Sequence, residues 1–287
     1  MKQVVITGGK GGCGKTTVAA AFASLAKNWV IADCDVDSPN LGIIAEPDIS
    51  ARHDFPINAV RIDPDKCSEC GLCREKCKFD AVTPDYRIDP ISCESCGLCV
   101  EICPTGAAEF FETKAGIWEA GECRFGPFLD AELMPGMENS GKLVTIIREE
   151  AKDLAGENYR GVLVDGPPGA GCPVIASITG CDLALAVTEP TVSGIHDLSR
   201  LRELFETHST PVSINLNKVD ISEHKSGEIR RFAAEKGLDI LAELPYDTLT
   251  SAAQTEKKSV VELDSHSPIS MELSRAWGKI RAILEER

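Results

Sequence analysis

The chain has 287 residues, with 30 Lys and Arg against 45 Asp and Glu, a formal charge of −15. So acidic a surface repels nucleic-acid phosphates and anionic membrane faces, and 5% aromatic residues leave little for a base-stacking platform, so nucleic-acid and membrane partners are not expected. At 43% hydrophobic residues the length suits one large α/β domain or two ordinary ones.

Residues 2–7 read as a buried strand, Gly8–Gly14 as a loop and Thr16–Lys27 as an Ala-rich helix. Met1 leads directly into the apolar Val4-Val5-Ile6, without the pattern of a secretory leader, and no apolar run approaches the ~18 residues of a membrane helix. A cytoplasmic location follows as the expectation, and there the 13 cysteines would stay reduced unless they bind metal. Trp29–Cys34 reads as a second strand that runs into the acidic cluster Asp33, Asp35 and Asp37, which completes the opening of a βαβ unit.

From about residue 59 to 112 the character changes to short loops dense in Cys, Asp and Pro, with no helical period to build a core; such a segment needs metal to fold. Residues 120–141, rich in Gly and Pro, read as a long irregular loop. Lys142–Ala155 is then a helix, Gly161–Asp165 and Leu183–Val187 strands, Ser193–Thr207 a helix, Pro211–Asn217 a strand, Glu223–Lys236 a helix, Asp239–Leu244 a strand and Ile269–Glu285 a helix. That alternation predicts an α/β fold, a mostly parallel sheet with helices on both faces. The expected organisation is one α/β domain, residues 1–58 and 113–287, interrupted by a cysteine module at 59–112.

Gly9-Lys10-Gly11-Gly12-Cys13-Gly14-Lys15-Thr16-Thr17 follows a strand and precedes a helix, the setting of a phosphate-binding loop. The backbone from Gly11 through Cys13 and Gly14 to Thr17 can turn its N–H groups onto phosphate oxygens beside the positive end of the helix. Lys15 is placed to reach the β and γ phosphates, and Thr16 to offer its hydroxyl to Mg²⁺.

The eight cysteines of the module form two runs, Cys67-x2-Cys70-x2-Cys73-x3-Cys77 and Cys93-x2-Cys96-x2-Cys99-x3-Cys103-Pro104, the chain's only internal repeat. Both match the bacterial ferredoxin run, in which the fourth cysteine serves the other cluster. One 4Fe-4S cluster is then assigned to Cys67, Cys70, Cys73 and Cys103, and a second to Cys77, Cys93, Cys96 and Cys99. Zinc is the alternative, although paired cysteines would leave the third and fourth of each run without a task. The first run departs from the ferredoxin pattern, with Lys78 where proline usually follows. Residues 61–112 carry 6 basic and 11 acidic side chains, a net of −5, which suits a basic electron partner.

The K-G-G-x-G-K-T form starting at Lys10 resembles the deviant Walker A box of the MinD, ParA and nitrogenase iron protein family. The resemblance implies that Lys10 reaches the nucleotide of a partner subunit across a nucleotide-dependent dimer, formed with a second copy or a related subunit. It likewise implies Asp33 in the Mg²⁺ neighbourhood and Asp35 orienting the attacking water. Val162-Leu163-Val164-Asp165-Gly166-Pro167-Pro168-Gly169 looks like the Walker B strand and second switch, with Asp165 on Mg²⁺ and Gly166 near the γ phosphate. Asn217-Lys218-Val219-Asp220 matches the N-K-x-D of GTPases, which raises GTP, while in the MinD-like family an Asn here contacts adenine and the Lys10 signature favours ATP.

The likeness runs almost end to end, through Ala186-Val187-Thr188-Glu189-Pro190 and Leu244-Pro245-Tyr246-Asp247, and points to MinD-superfamily ATPases with an inserted ferredoxin domain. The insertion point, between the first-switch aspartates and the Walker B strand, suits an ATPase that uses Mg-ATP to gate electron transfer to a redox partner. A cluster carrier for client proteins and a redox-responsive positioning protein are the alternatives. Cys172, seven residues after Asp165, resembles the cysteine that helps the nitrogenase iron protein hold a shared cluster, and otherwise reads as a buried or redox-sensitive thiol. Cys13, Cys34 and Cys181 read as small apolar fillers. His196 reads as a helix-start residue, and the last helix as packed by Ile269, Leu273, Trp277, Ile280 and Leu284.

Overall fold

The computed structural model describes residues 1–286, and the chain divides into two compact units. The larger contains Met1–Arg52, Trp118–Glu132 and the residues from Ser140 onward; the smaller contains His53–Ile117 and Leu133–Asn139. Both expected boundaries, 58/59 and 112/113, thus move outward, and a second short segment joins the smaller unit.

In the larger unit β1 (Lys2–Gly8) is central, paired in parallel with β6 (Gly161–Pro168) on one side and β7 (Leu183–Thr188) on the other. β2 (Trp29–Asp33) pairs in parallel with β6 and with β5 (Gly126–Leu133), while β8 (Val212–Asn217) and β9 (Ile240–Leu244) extend the sheet in parallel beyond β7. With β3 (Asp48–Ile62) and β4 (Ala108–Cys123), the order is β3-β4-β5-β2-β6-β1-β7-β8-β9.

Near-continuous Val, Ile, Leu and Ala in β1, β2, β6 and β7 is what a sheet covered on both faces demands. The pleat alternates their destinations. Val4, Ile6, Ile31 and Leu163 join a core with α1 (Lys15–Leu25) and α11 (Pro268–Glu285), while α5 (Ser140–Ala155) packs on β2 and β6 and against α6 (Cys172–Ile178). Trp277 of α11 anchors the first core, its ring 5.3 Å from both Phe22 and Trp29. Ile269, Leu273, Trp277, Ile280 and Leu284 are all buried, so the last helix packs as its spacing predicts.

The expected loop at 120–141 is mostly strand. β4 and β5 are sheet neighbours separated only by Arg124 and Phe125, a hairpin, and helix α5 begins two residues earlier than read. Nor is 59–112 all loop, since β3 and β4 run into it and it holds two short helices, α3 (Leu72–Lys76) and α4 (Leu98–Glu101). β3 escapes a periodicity reading because Pro56 and its charged neighbours suit only an edge, the position it occupies. Among the described residues no helix is long and apolar enough to cross a membrane.

Leu273 is fully buried in the α1–α11 core. Leu273→Ala is expected to cost about 2–5 kcal/mol, seen as a lower urea midpoint for the helical signal.

Candidate functional site

Parallel pairing brings the carboxyl ends of the strands together, and the loops that leave them build the site. Gly8 of β1 leads into the phosphate loop, and Asp33 of β2 stands in register beside Asp165 of β6. Gly14 adopts φ 102, and a Cβ there would lie 2.3 Å from Nδ2 of Asn217, so conformation and space both require glycine. A cleft of about 570 Å³ opens here, lined at one end by Gly11, Gly12, Gly14, Lys15, Thr16 and Thr17, with Asp35 beside them.

Asp33 is fully buried, and its carboxylate already accepts three backbone N–H groups, from Asp35 at 3.1 Å, Asn40 at 3.0 Å and Leu41 at 2.9 Å. In this arrangement it shapes the loop carrying Asp35 and the start of α2 (Leu41–Ala45). Asp165 differs: it is buried, and neither carboxylate oxygen has a hydrogen-bond partner among the described residues. Burial raises the pKa of both well above the usual carboxylate range; Asp165's charge adds to the shift at Asp33, and Thr16 and Lys15 oppose it at Asp165. Asp35 lies 3.9 Å from Nζ of buried Lys15, and burial pushes its carboxyl up to about 6 despite that lysine, with Asp37 adding to the rise.

Lys10 does not line the cleft. Its ammonium forms an ion pair with Glu189 and lies 3.3 Å from the Ser193 hydroxyl. Glu189 is 3.0 Å from Lys218 as well; burial alone would raise its pKa, but the two lysines outweigh burial and hold it below the usual value. Asn217 is also away from the cleft lining, its Nδ2 donating to the Cys13 carbonyl at 2.8 Å, while Lys218 Nζ donates to the Gly12 carbonyl at 3.2 Å. The N-K-x-D stretch therefore braces the phosphate loop from behind, and Asp220 accepts the Tyr246 N–H at 2.7 Å. Gly166 sits within β6, where a Cβ would come 2.8 Å from the Ile6 carbonyl.

In the smaller unit the two cysteine runs take the same backbone path. Glu69 and Ser95 (φ 55 and 49) and Gly71 and Gly97 (φ 80 and 75) occupy matching places. Cys67, Cys70, Cys73 and Cys103 line one cavity with Leu72, Tyr86 and Ala107. Cys77, Cys93, Cys96 and Cys99 line a second with Phe79, Val82 and Leu98, and Cys73 borders this one too. Backbone N–H groups point at sulfur, Glu69 to Cys67 at 3.4 Å and Ala107 to Cys103 at 3.2 Å. Chiefly through the Ala108 N–H, which outweighs burial, the Cys103 thiol is lowered to about 7. Among the described residues no group of three or more His, Cys, Asp or Glu side chains is drawn together as the ligand set of one metal ion.

Cys13, Cys34 and Cys181 are buried, and burial raises all three thiols. Cys172 opens α6 and is exposed, which removes the buried-thiol reading, and His196 is exposed and lies one turn into α7 (Val192–Thr207) rather than at its start. Ile43, Ile44 and Gln254 had no sequence signal, and Glu189 stood only within a stretch of family resemblance, with no role assigned. Ile43 and Ile44 of α2 and Gln254 of α9 (Leu249–Thr255) line the cleft, and Glu189 holds Lys10.

Residues 4–260 match the family described as the CobQ/CobB/MinD/ParA nucleotide binding domain. An uncharacterized protein of Methanocaldococcus jannaschii is 35% identical over 225 residues, 75% of this chain and 78% of that one. The septum site-determining protein MinD of Bacillus subtilis is 24% identical over 281 residues, 94% of this chain and 82% of its own. Among solved structures, MinD of Pyrococcus horikoshii, complexed with Mg-ADP, superposes with a TM-score of 0.61 at 15% identity, covering 99% of this chain and 97% of that one, a likeness of fold.

Because the Asp165 carboxyl is raised from 3.8 to about 7 by folding, its ionisation adds no cost well below the lower value and progressively destabilises the protein as pH rises towards the higher one. Without nucleotide or divalent cation, Asp165→Asn is expected to melt above the unsubstituted protein at pH 8. The gap should close towards pH 4, as read by circular dichroism melts across that range.

Proposed function

Since the chain belongs to the CobQ/CobB/MinD/ParA nucleotide-binding family, we propose that it is a MinD-like switch protein that binds and hydrolyses Mg-ATP as a dimer and carries two 4Fe-4S clusters, coupling ATP binding to electron transfer. The observation that carries the nucleotide reading is the buried Asp165 carboxylate on β6, which has no hydrogen-bond partner among the described residues and lies close to Thr16 and Lys15 of the phosphate loop. Asp165 and the neighbouring Thr16 hydroxyl would hold a divalent cation, which would offset phosphate charge, and a MinD solved with Mg-ADP supports the same ligand. In this reading the loop N–H groups and Lys15 hold the phosphates. Asp35, with a carboxyl near 6, orients the attacking water and takes its proton. Gly166 follows Asp165 towards the γ phosphate.

Lys10 has a further task here. It exchanges Glu189 for the nucleotide of the partner subunit when the dimer closes, so hydrolysis requires both closure and the loss of an ion pair.

The cysteine cavities support the second half of the reading. Each is lined by the first three cysteines of one run and the fourth of the other, with Cys73 bordering both, and that interleaving is expected of two ferredoxin-type clusters. The smaller unit also has few large buried side chains, chiefly Phe55, Val60, Val82 and Leu133, so bound metal would supply stability that its core lacks. When bound, such clusters store and pass single electrons. In sequence the smaller unit leaves the chain after the Asp33–Asp37 switch and before the Asp165 strand, which suits a module driven by nucleotide. A cluster-carrier reading draws on exposed Cys172, whose thiol could share a labile cluster with a partner copy.

Anaerobically purified protein is expected to carry about eight irons per chain, four per cluster, and to show two coupled clusters by electron paramagnetic resonance after reduction. Lys15→Ala should lower ATP turnover at least about a hundredfold with iron content unchanged. Protein containing zinc and no iron would refute the cluster half, and potentials or electron-transfer rates indifferent to Mg-ATP would sink the coupling. Iron lost specifically on Cys172→Ala would select the carrier reading instead.

A further inference from the structure

Wholly within the smaller unit lies a further cavity, of about 370 Å³. Its floor is one face of the neighbouring strands β3 and β4, with Ile57, Ala59 and Arg61 alternating along the first and Phe111 and Thr113 along the second. Met137 and residues around Cys93 complete the lining. A cavity of this size, largely apolar with a few polar groups at hand, has the character of a small-molecule site. Cys93 borders this cavity and the second cysteine cavity alike, so an occupant would lie beside the metal those cysteines are proposed to hold.

The sequence repeat extends upstream of the cysteines, since Arg61-Ile62-Asp63-Pro64 precedes Cys67 just as Arg87-Ile88-Asp89-Pro90 precedes Cys93. The aspartates have a structural task, each accepting the N–H two residues on, Asp63 from Asp65 at 3.0 Å and Asp89 from Ile91 at 3.1 Å. The arginines do not serve that turn; both of them, with both isoleucines of the repeat, line this one cavity. Arg61 directs Nε and Nη2 at Glu109, at 2.8 and 2.7 Å, and its guanidinium stands 5.4 Å from the Phe111 ring centroid. Arg87 sets Nε 3.1 Å from Asp85, and Thr83 fixes its backbone, donating its N–H to the Arg87 carbonyl at 2.9 Å and accepting the Arg87 N–H on its hydroxyl at 3.0 Å. Among the described residues Nη1 of Arg61 and the two terminal nitrogens of Arg87 donate no hydrogen bond, which leaves planar donors for an anionic group.

We propose that this cavity binds a small organic anion with a planar apolar body, Arg61 and Arg87 holding the charge and Ile57, Ile88 and Phe111 the body. The ring of Phe111 and the flat guanidinium beside it favour a planar occupant. Exposed Glu94 and Glu138 line the cavity too, and two glutamates against two arginines suit a single negative charge rather than a polyanion such as a nucleotide. The site goes beyond the nucleotide and cluster readings, since neither gives a task to any of these residues.

Calorimetric titration of the anaerobically purified protein tests the site with cinnamate, its neutral analogue cinnamyl alcohol, its cationic analogue cinnamylammonium, and acetate, which has the charge and no body. Cinnamate should bind with a Kd below about 1 mM, and the other three at least about tenfold more weakly. Arg61→Gln and Arg87→Gln should each weaken cinnamate about tenfold, and Thr113→Trp, which fills the cavity, should abolish its binding. The Arg87 side chain is 83% exposed, so substituting it does not threaten folding, and that arm stands if Thr113→Trp fails to fold. Protein that ignored cinnamate, bound any of the other three equally well, or lost no affinity in Arg87→Gln would overturn the site. Metal content of the same preparation keeps the readings apart: zinc in place of iron, with cinnamate still bound, would refute the clusters and leave this site standing.

Discussion

Two carboxylates, Asp33 and Asp165, stand in register on adjacent parallel strands, and most of the site follows from how each is satisfied. Burial makes both charges costly. Asp33 resolves its cost internally, by accepting N–H groups from Asp35, Asn40 and Leu41, and so dictates the path of the switch loop and the start of α2. Asp165 is left with two oxygens that no hydrogen bond satisfies next to the phosphate loop, a cost that, by our reading, a cation brought with the nucleotide would offset.

Behind the phosphate loop the pattern reverses, and positive groups are neutralised within the chain. Glu189 collects Lys10 and Lys218, while Asn217 and Lys218 hold the carbonyls of Cys13 and Gly12. The loop is thus preorganised with its carbonyls pinned backwards and its N–H groups free to face an anion. Glycine at position 14 is needed because Asn217 occupies the space that a side chain would take.

The smaller unit repeats one solution twice. Left-handed residues at 69 and 71, and again at 95 and 97, curl each run so that its cysteines face a cavity. Its modest buried core contrasts with that of the larger unit, where α1, α11 and the sheet supply apolar packing. Each unit therefore has a different source of order, burial in one and, by our reading, metal in the other.

Local spacing alone determined the β-loop-α start, the parallel alternation from β6 onward, the packed last helix and the two cysteine runs, because each depends on neighbours in sequence. β3 and the β4–β5 hairpin were illegible, since an edge strand with Pro56 and charged residues has no clean alternation, and Gly- and Pro-rich composition resembles a loop. The acidic and basic residues of the site were visible, but their partners were not. Tertiary structure decided that Asp33 spends its oxygens on backbone, that Glu189 holds Lys10, that Asn217 braces the loop and that Arg124 ties the Ile44 and Ala45 carbonyls to Glu262. Those pairings link residues brought together only when strands and helices pack, and a carboxylate or amide declares its role through the partner that satisfies it.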